Sequence, residues 1–336
     1  MRASPEVIVV GLGAVGSATL LALAERGIRC TGIDRFEPPH ALGSSHGLSR
    51  LIRLCYFEHP DYVPLLRTSY ERWHALQATT TRPILRITGG LYIGSPQDPF
   101  VRGSLESARA HGLAHELLGA TDASLRFPQF NIRGHEQAFF EPAAGVLFPE
   151  NAIDANLARA KALGATILTN RTVTRWHAAA RSVEIHTEQG ALRADSLVFC
   201  AGPWMPRLLP DLAPVLTVTR QVLAWFRPAD ARKLHTPHMP AWAISEPDGS
   251  AHYGFPLFSP LVPDQAPPGG EGLKVALHRL GDATDPDTVD RRVHSHEIAA
   301  LAKFLESRIP SAISSDRTLL STKVCLYTST PDQHFL

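Results

Sequence analysis

The stretch from Pro5 to Asp34 sets a strand, a glycine turn, a helix, a second strand and an acid in an order that few folds accommodate. Val7-Ile8-Val9-Val10 is a short apolar run of the kind that forms a buried strand, and Gly11-x-Gly13-x-x-Gly16 follows it directly. Gly11 permits the tight strand-to-helix turn, Gly13 lets backbone N–H groups approach a pyrophosphate, and Gly16 lets the helix pack closely on the strand. The helix, rich in Ala and Leu, turns its positive N-terminal end toward the phosphates. Asp34 closes the second strand, where a carboxylate can accept both ribose hydroxyls. A glycine triplet alone also occurs in ordinary βαβ turns; the full order of parts specifies ADP. It leaves NAD and FAD equally open.

At 336 residues the chain has room for two domains of roughly 150 residues each. A hydrophobic fraction of 44%, 19% charged residues and a net charge of +1 describe a soluble globular protein. No basic run or Arg/Lys patch interleaved with aromatics is present, and a near-neutral chain exerts little long-range pull on nucleic acid or anionic lipid. The first strand begins close to Met1, so no signal peptide is expected. The longest apolar stretch is broken by Glu25 and Arg26, so no membrane span is expected. A cytoplasmic location follows. Cys30, Cys55, Cys200 and Cys325 are scattered without C-x-x-C spacing, and the sixteen histidines show no ligand spacing, so neither a disulfide framework nor a metal site is expected.

Beyond Asp34 the polar, Pro- and Gly-rich segment Phe36–Gly47 reads as a loop. Val63, Leu66, Tyr70, Trp73 and Leu76 keep a helical period over 62–76. Leu85–Ile93 alternates as a strand, 97–128 reads as helical with Pro128 as a stop, and Ala138–Phe148 reads as two short strands around Glu141-Pro142. A helix capped by Asn151 and ended at Gly164 leads to the strand Thr166–Leu168. A hairpin over Val173–Leu192, turning at Gln189-Gly190, precedes the buried strand Ser196–Cys200 that closes in Ala201-Gly202, a place where nucleotides lie in such folds. From Val215 the texture is β-rich, with strands over 215–226, 241–245, 251–255, 272–278 and 318–328, a surface loop at 263–272 and a helix over 294–305. Strands without intervening helices imply an antiparallel sheet.

Several motifs follow one another along the chain: Gly43-Ser44-Ser45-His46-Gly47-x-x-Arg50-x-x-Arg53, Tyr62-Val63-Pro64-Leu65, Gly145-Val146-Leu147-Phe148, Tyr253-Gly254-Phe255-Pro256, Gly272-Leu273-Lys274 with His278, and Val324-Cys325-x-Tyr327-Thr328. Together they resemble monomeric sarcosine oxidase and N-methyltryptophan oxidase, flavoenzymes of the D-amino-acid oxidase superfamily. The resemblance spans essentially the whole chain and selects FAD over NAD. It implies an α/β plus α+β fold, in which a Rossmann-like FAD-binding domain is interleaved with a substrate domain built on a mostly antiparallel sheet. The expected division is 1–86, 148–217 and 331–336 for FAD, and 87–147 and 218–330 for substrate.

The resemblance also implies roles. Cys325 matches the cysteine that carries the flavin as a thioether at the ring's 8-methyl group, which suits a thiolate nucleophile. Lys274 matches the lysine beside the flavin that activates oxygen, where a fixed ammonium stabilises charge developing on O2. Arg53 matches the arginine that grips the substrate carboxylate with its two-pronged donors, and Arg50 its neighbour against the flavin face. Tyr253, Tyr327 and His278 match residues that shape the amine pocket. Ser44, Ser45, His46 and Val173 fall where the family contacts FAD, alongside Gly11, Gly13, Gly16, Asp34 and Gly202. Leu48-Ser49 replaces the acidic and hydroxyl pair usual after His46-Gly47.

The implied activity is oxidation of a secondary, N-methyl-type amino acid by a monomer, with oxygen as acceptor and hydrogen peroxide as product. Family members continue past His334-Phe335 into a strand, a Gly-rich loop touching FAD and a lysine that shares the substrate carboxylate; this sequence ends at Leu336. Two rivals stand beside the oxidase. A flavin dehydrogenase with another acceptor would release no peroxide, and a catalytically silent flavin-binding protein would turn over no N-methyl amino acid. An NAD-dependent dehydrogenase would have no use for Cys325.

Overall fold

Strand β1 (Val7–Val10) is buried from its second residue on because Ile8, Val9 and Val10 have apolar layers on both sides of the sheet. The computed structural model to which it belongs describes residues 5–258, 272–278 and 281–336. Helix α1 (Ala14–Glu25) leads to β2 (Cys30–Ile33). Gly11 takes φ +91°, and a Cβ on Gly16 would collide with the Gly11 carbonyl oxygen, so this crossing of helix over strand requires both glycines.

The Phe36–Gly47 loop contains no regular element. Then come β3 (Arg50–Ile52), α2 (Val63–Gln77), β4 (Leu85–Ile87) and β5 (Gly90–Gly94). The single strand expected over 85–93 is thus two, in different sheets, because Gly89 at φ +73° redirects the chain between them. The helical reading of 97–128 also needs correcting. Asp98 caps α3 (Pro99–His111), Gly112 at φ +61° ends it, and an edge strand β6 (Glu116–Gly119) intervenes before α4 (Ala120–Arg126).

Strands β7 (Gln137–Glu141) and β8 (Gly145–Leu147) flank the expected Glu141-Pro142 turn. Helix α5 (Pro149–Ala162) starts two residues before Asn151; Pro149 takes the first turn, and Asn151 donates to the Pro83 carbonyl instead of capping. Strand β9 (Thr166–Leu168) follows. The expected hairpin is a three-stranded meander, β10 (Val173–Ala179), β11 (Ser182–Thr187) and β12 (Gly190–Ala194), with an additional turn after Ala179. The chain continues through β13 (Ser196–Phe199), α6 (Met205–Leu208), β14 (Thr217–Phe226), β15 (Ala241–Ser245), β16 (Ala251–Gly254), β17 (Leu273–His278), α7 (Ser295–Arg308) and β18 (Leu319–Ser329). The loop expected at 263–272 lies outside the described residues except for Gly272.

Two sheets organise the molecule. The order β13-β1-β2-β9 is parallel throughout, with α1 and α5 packed on one face through Leu20, Ile153 and Leu157, and the meander on the other through Ile185 and Ala194. The eight-stranded sheet β18-β14-β17-β16-β15-β5-β7-β6 is antiparallel except where β15 pairs with β5. Its strand period sorts side chains. Leu273 and Val275 face α7 with Leu301, Phe304 and Leu305, which leaves Lys274 and Ala276 on the opposite face with Cys325 of β18.

Candidate functional site

A cavity of about 520 Å³ opens at the carboxyl ends of β1, β2 and β13. Gly11, Gly13, Asp34, Ser44, Ser45, Val173 and Gly202 all line it. Gly16 lies behind it and supports the turn. Asp34 is fixed by backbone donors: Leu12 N–H reaches Oδ2 at 2.6 Å and Phe36 N–H reaches Oδ1 at 2.8 Å. Each carboxylate oxygen retains a lone pair for a ribose hydroxyl. Ser45 Oγ accepts from Ala14 N–H at 3.1 Å and so anchors the loop to the first turn of α1.

Sequence reading missed the far wall. Arg35, Phe36, Trp204 and Arg207 line it, and Asp287 accepts from Arg35 at 2.6 Å, from the Trp204 indole at 2.8 Å and from Arg207. An arginine directly after Asp34 was the available signal.

Ser44 joins this cavity to the antiparallel sheet. Its carbonyl accepts from Arg50 Nη2 at 2.6 Å and from Cys325 Sγ at 3.5 Å, and Arg50 Nη2 is itself 3.4 Å from Cys325 Sγ. Arg50 lies on β3, so its neighbours come from strand geometry. Lys274 is 3% exposed and donates to the carbonyls of Gly47 (2.7 Å) and Ser49 (2.9 Å) and to Ser49 Oγ (3.2 Å), with the Phe255 ring 5.0 Å away. Burial, seconded by the charge of Arg50, pulls its ammonium well below the usual lysine range. His46 is 1% exposed with neither ring nitrogen hydrogen-bonded. Burial and the surrounding Arg50, Lys323, Lys274 and Arg291 lower its pKa to about 3.

The remaining candidates cluster beside these. His278 Nδ1 lies 3.3 Å from the Tyr327 hydroxyl, and the Tyr253 ring is 6.5 Å from the His278 ring, edge to face. Burial raises both phenols, and partial desolvation of the ring of His278, which stays exposed at the end of β17, lowers its pKa with the Arg53 charge assisting, so all three are neutral near pH 7. Arg53 is held between Tyr56 (4.3 Å) and Phe57 (4.5 Å), and its Nη2 reaches both oxygens of Glu58 at 2.7 and 2.8 Å. Glu58 was not singled out in the sequence, where nothing distinguishes it from a surface acid.

The arrangement suits FAD. A glycine turn and a fixed acid meet the demands of an ADP moiety, and a buried histidine with two unpartnered nitrogens lies one residue beyond the cavity-lining Ser45, in a cation-rich environment that favours an electron-accepting ring. Among the described residues no cluster of His, Cys, Asp or Glu could hold a metal ion, and no helix is long and apolar enough to cross a membrane.

Comparison with known proteins agrees. The FAD dependent oxidoreductase (DAO) family matches residues 6–336. The chain is 39% identical to monomeric sarcosine oxidase of Streptomyces avermitilis over all of its length and 85% of the relative's, and 37% identical to that of a Bacillus species over 98% and 83%. N-methyl-L-tryptophan oxidase of Yersinia pestis is 30% identical over 98% and 85%. Among solved structures, NikD, an amino acid oxidase of nikkomycin biosynthesis, superposes with a TM-score of 0.79 at 26% identity over 97% and 82% of the two chains. This chain therefore belongs to the DAO family of FAD-dependent oxidoreductases, with monomeric sarcosine oxidases and N-methyl-L-tryptophan oxidase among its relatives.

Proposed function

We propose that the protein oxidises secondary, N-methyl-type amino acids, with oxygen as electron acceptor and hydrogen peroxide as product. The observation that carries this reading is Ser44. It lines the nucleotide cavity while its carbonyl binds both Arg50 and Cys325, so cofactor cavity and antiparallel face meet at one residue. The segments of the parallel sheet would hold the cofactor and those of the eight-stranded sheet the amine.

FAD, when bound, would supply the redox chemistry, namely acceptance of a hydride equivalent from the C–N unit and transfer of electrons to oxygen. The chain's own residues prepare that exchange. Gly13, the N-terminus of α1 and Asp34 would hold the pyrophosphate and ribose. Arg50 donates to Cys325 Sγ at 3.4 Å and so orients the sulfur that would carry the ring through a thioether at its 8-methyl group. Arg53 already binds a carboxylate, that of Glu58, and the substrate carboxylate takes that place. Tyr253, Tyr327 and His278, all neutral, offer lone pairs to the amine N–H. Lys274, in its protonated form, supplies a buried positive charge beside the site where negative charge develops on oxygen. The imine released hydrolyses in water, so that sarcosine yields glycine and formaldehyde.

The test is turnover by the FAD-replete protein of sarcosine, N-methyltryptophan and a cyclic imino acid such as pipecolate, with peroxide and aldehyde measured in air and electron transfer to an artificial acceptor measured without oxygen. Stoichiometric peroxide in air supports the oxidase. Turnover only with the artificial acceptor would assign a dehydrogenase, and no turnover would assign a silent flavin protein.

A further inference from the structure

Glu141, the last residue of β7, is fully buried, and among the described residues no cation lies within ion-pair distance of its carboxylate. A carboxylate in that position is costly unless its oxygens are hydrogen-bonded. Oε1 accepts from Leu54 N–H at 2.6 Å and Cys55 N–H at 3.2 Å, and Oε2 faces the hydroxyl of the fully buried Tyr92 at 3.5 Å. Leu54 and Cys55 directly follow Arg53. Strand β3 pairs with β8 only as far as Ile52 opposite Gly145, so beyond that point the ladder supplies no acceptor for these amides. The Glu141 side chain stands in for the missing strand. It ends β3 at the place where the chain must turn the buried Arg53 between Tyr56 and Phe57 toward Glu58. The far side of the same loop is tied by Ser107 Oγ donating to the Tyr56 carbonyl at 2.5 Å.

We propose that Glu141 is a positioning residue for substrate recognition: by accepting the two amides that follow Arg53, it sets the guanidinium where it can exchange Glu58 for the substrate carboxylate. This rests on the reading of Arg53 as the carboxylate clamp. Glu141 touches neither cofactor nor substrate; it acts through the backbone of residues 54 and 55.

The experiment compares wild-type holoenzyme with the Glu141→Gln, Glu141→Asp, Glu141→Ala and Arg53→Met variants. Four quantities are read: KM and kcat for the amino acid, the Kd of propionate from the perturbed flavin spectrum, FAD content, and melting temperature. Glutamine keeps an oxygen where both amides need it, so Glu141→Gln retains a KM within about threefold of wild type. Aspartate keeps the charge but withdraws the acceptor by one methylene; the displaced clamp raises KM and propionate Kd by about tenfold, with kcat and FAD content held. If Glu141→Ala fails to fold, Glu141→Asp decides. Wild-type KM and Kd in Glu141→Asp would overturn the proposal, as would equal losses of kcat, KM and FAD content in Asp and Gln alike. If Arg53→Met also leaves KM and propionate Kd unchanged, the clamp reading beneath the proposal fails instead.

Discussion

Replacing Lys274 with methionine separates the two halves of the proposed reaction. Methionine has nearly the reach of lysine without charge, so the volume between Trp225 and Phe255 stays filled. The carbonyls of Gly47 and Ser49 lose a charged donor at 2.7 and 2.9 Å, a loss of about 1.5–3 kcal/mol each. Against this, the variant no longer buries an ammonium beside Arg50, a burden of several kcal/mol for a desolvated ion. The two effects oppose, and the protein stays folded and flavin-bound. Oxygen chemistry has no such compensation, because removing one fixed stabiliser of developing charge slows a reaction by roughly 10²–10³. The assay reduces the variant with substrate under nitrogen in a stopped-flow cell, then mixes it with oxygenated buffer. Reduction is expected within about tenfold of wild type and reoxidation slower by about 10²–10³. Reoxidation at the wild-type rate in a folded, flavin-loaded variant would refute the placement of Lys274 at the oxygen site.

Further outcomes follow from the same geometry. Gly16→Ala places a methyl group against the Gly11 carbonyl and opens the turn, so the variant should bind no FAD by fluorescence titration; wild-type affinity would show that the turn is not the pyrophosphate cradle. Arg308 is 1% exposed and bonds Glu136 through two 2.9 Å contacts. Arg308→Met, which leaves the buried Glu136 carboxylate with Arg133 alone, through its backbone N–H at 2.8 Å and its guanidinium at 3.8 Å, should cost about 3 kcal/mol in urea unfolding. His252 stacks on Phe304 at 3.8 Å with an unpartnered Nδ1, and burial lowers its pKa to about 4. Because its folded pKa is depressed, the unfolded chain takes up the proton first. Its contribution is complete above pH 6.5 and is lost as pH falls toward 4, on the order of 3 kcal/mol in all. Urea midpoints measured across that window should fall less in His252→Leu than in wild type.

The nucleotide half was legible because its information is local. A strand, three glycines, a helix and an acid lie within one short stretch, and seven of the ten cofactor-binding candidates line the cavity. Strands β14 to β18 were legible from apolar runs, and their two-residue period explains why Lys274 and Cys325 share a face. Strand β6 was not, since four mostly exposed residues between two helices are too short to show alternation. Asn151 misled because Pro149 is the stronger helix-start signal and the asparagine has a distant partner in Pro83. Glu58 and Glu141 carry no local signature. One pairs with Arg53 across a loop and the other reaches backbone amides from a separate strand, so only the folded chain shows what they touch.

The most direct measurement is acid precipitation of the purified, FAD-reconstituted protein and of its Cys325→Ser variant, with the visible spectrum of each pellet and supernatant. Flavin colour retained in the wild-type pellet and released to the supernatant by Cys325→Ser is the predicted result. A pellet that stays yellow in the variant, or wild-type protein that takes up no flavin, would contradict the account.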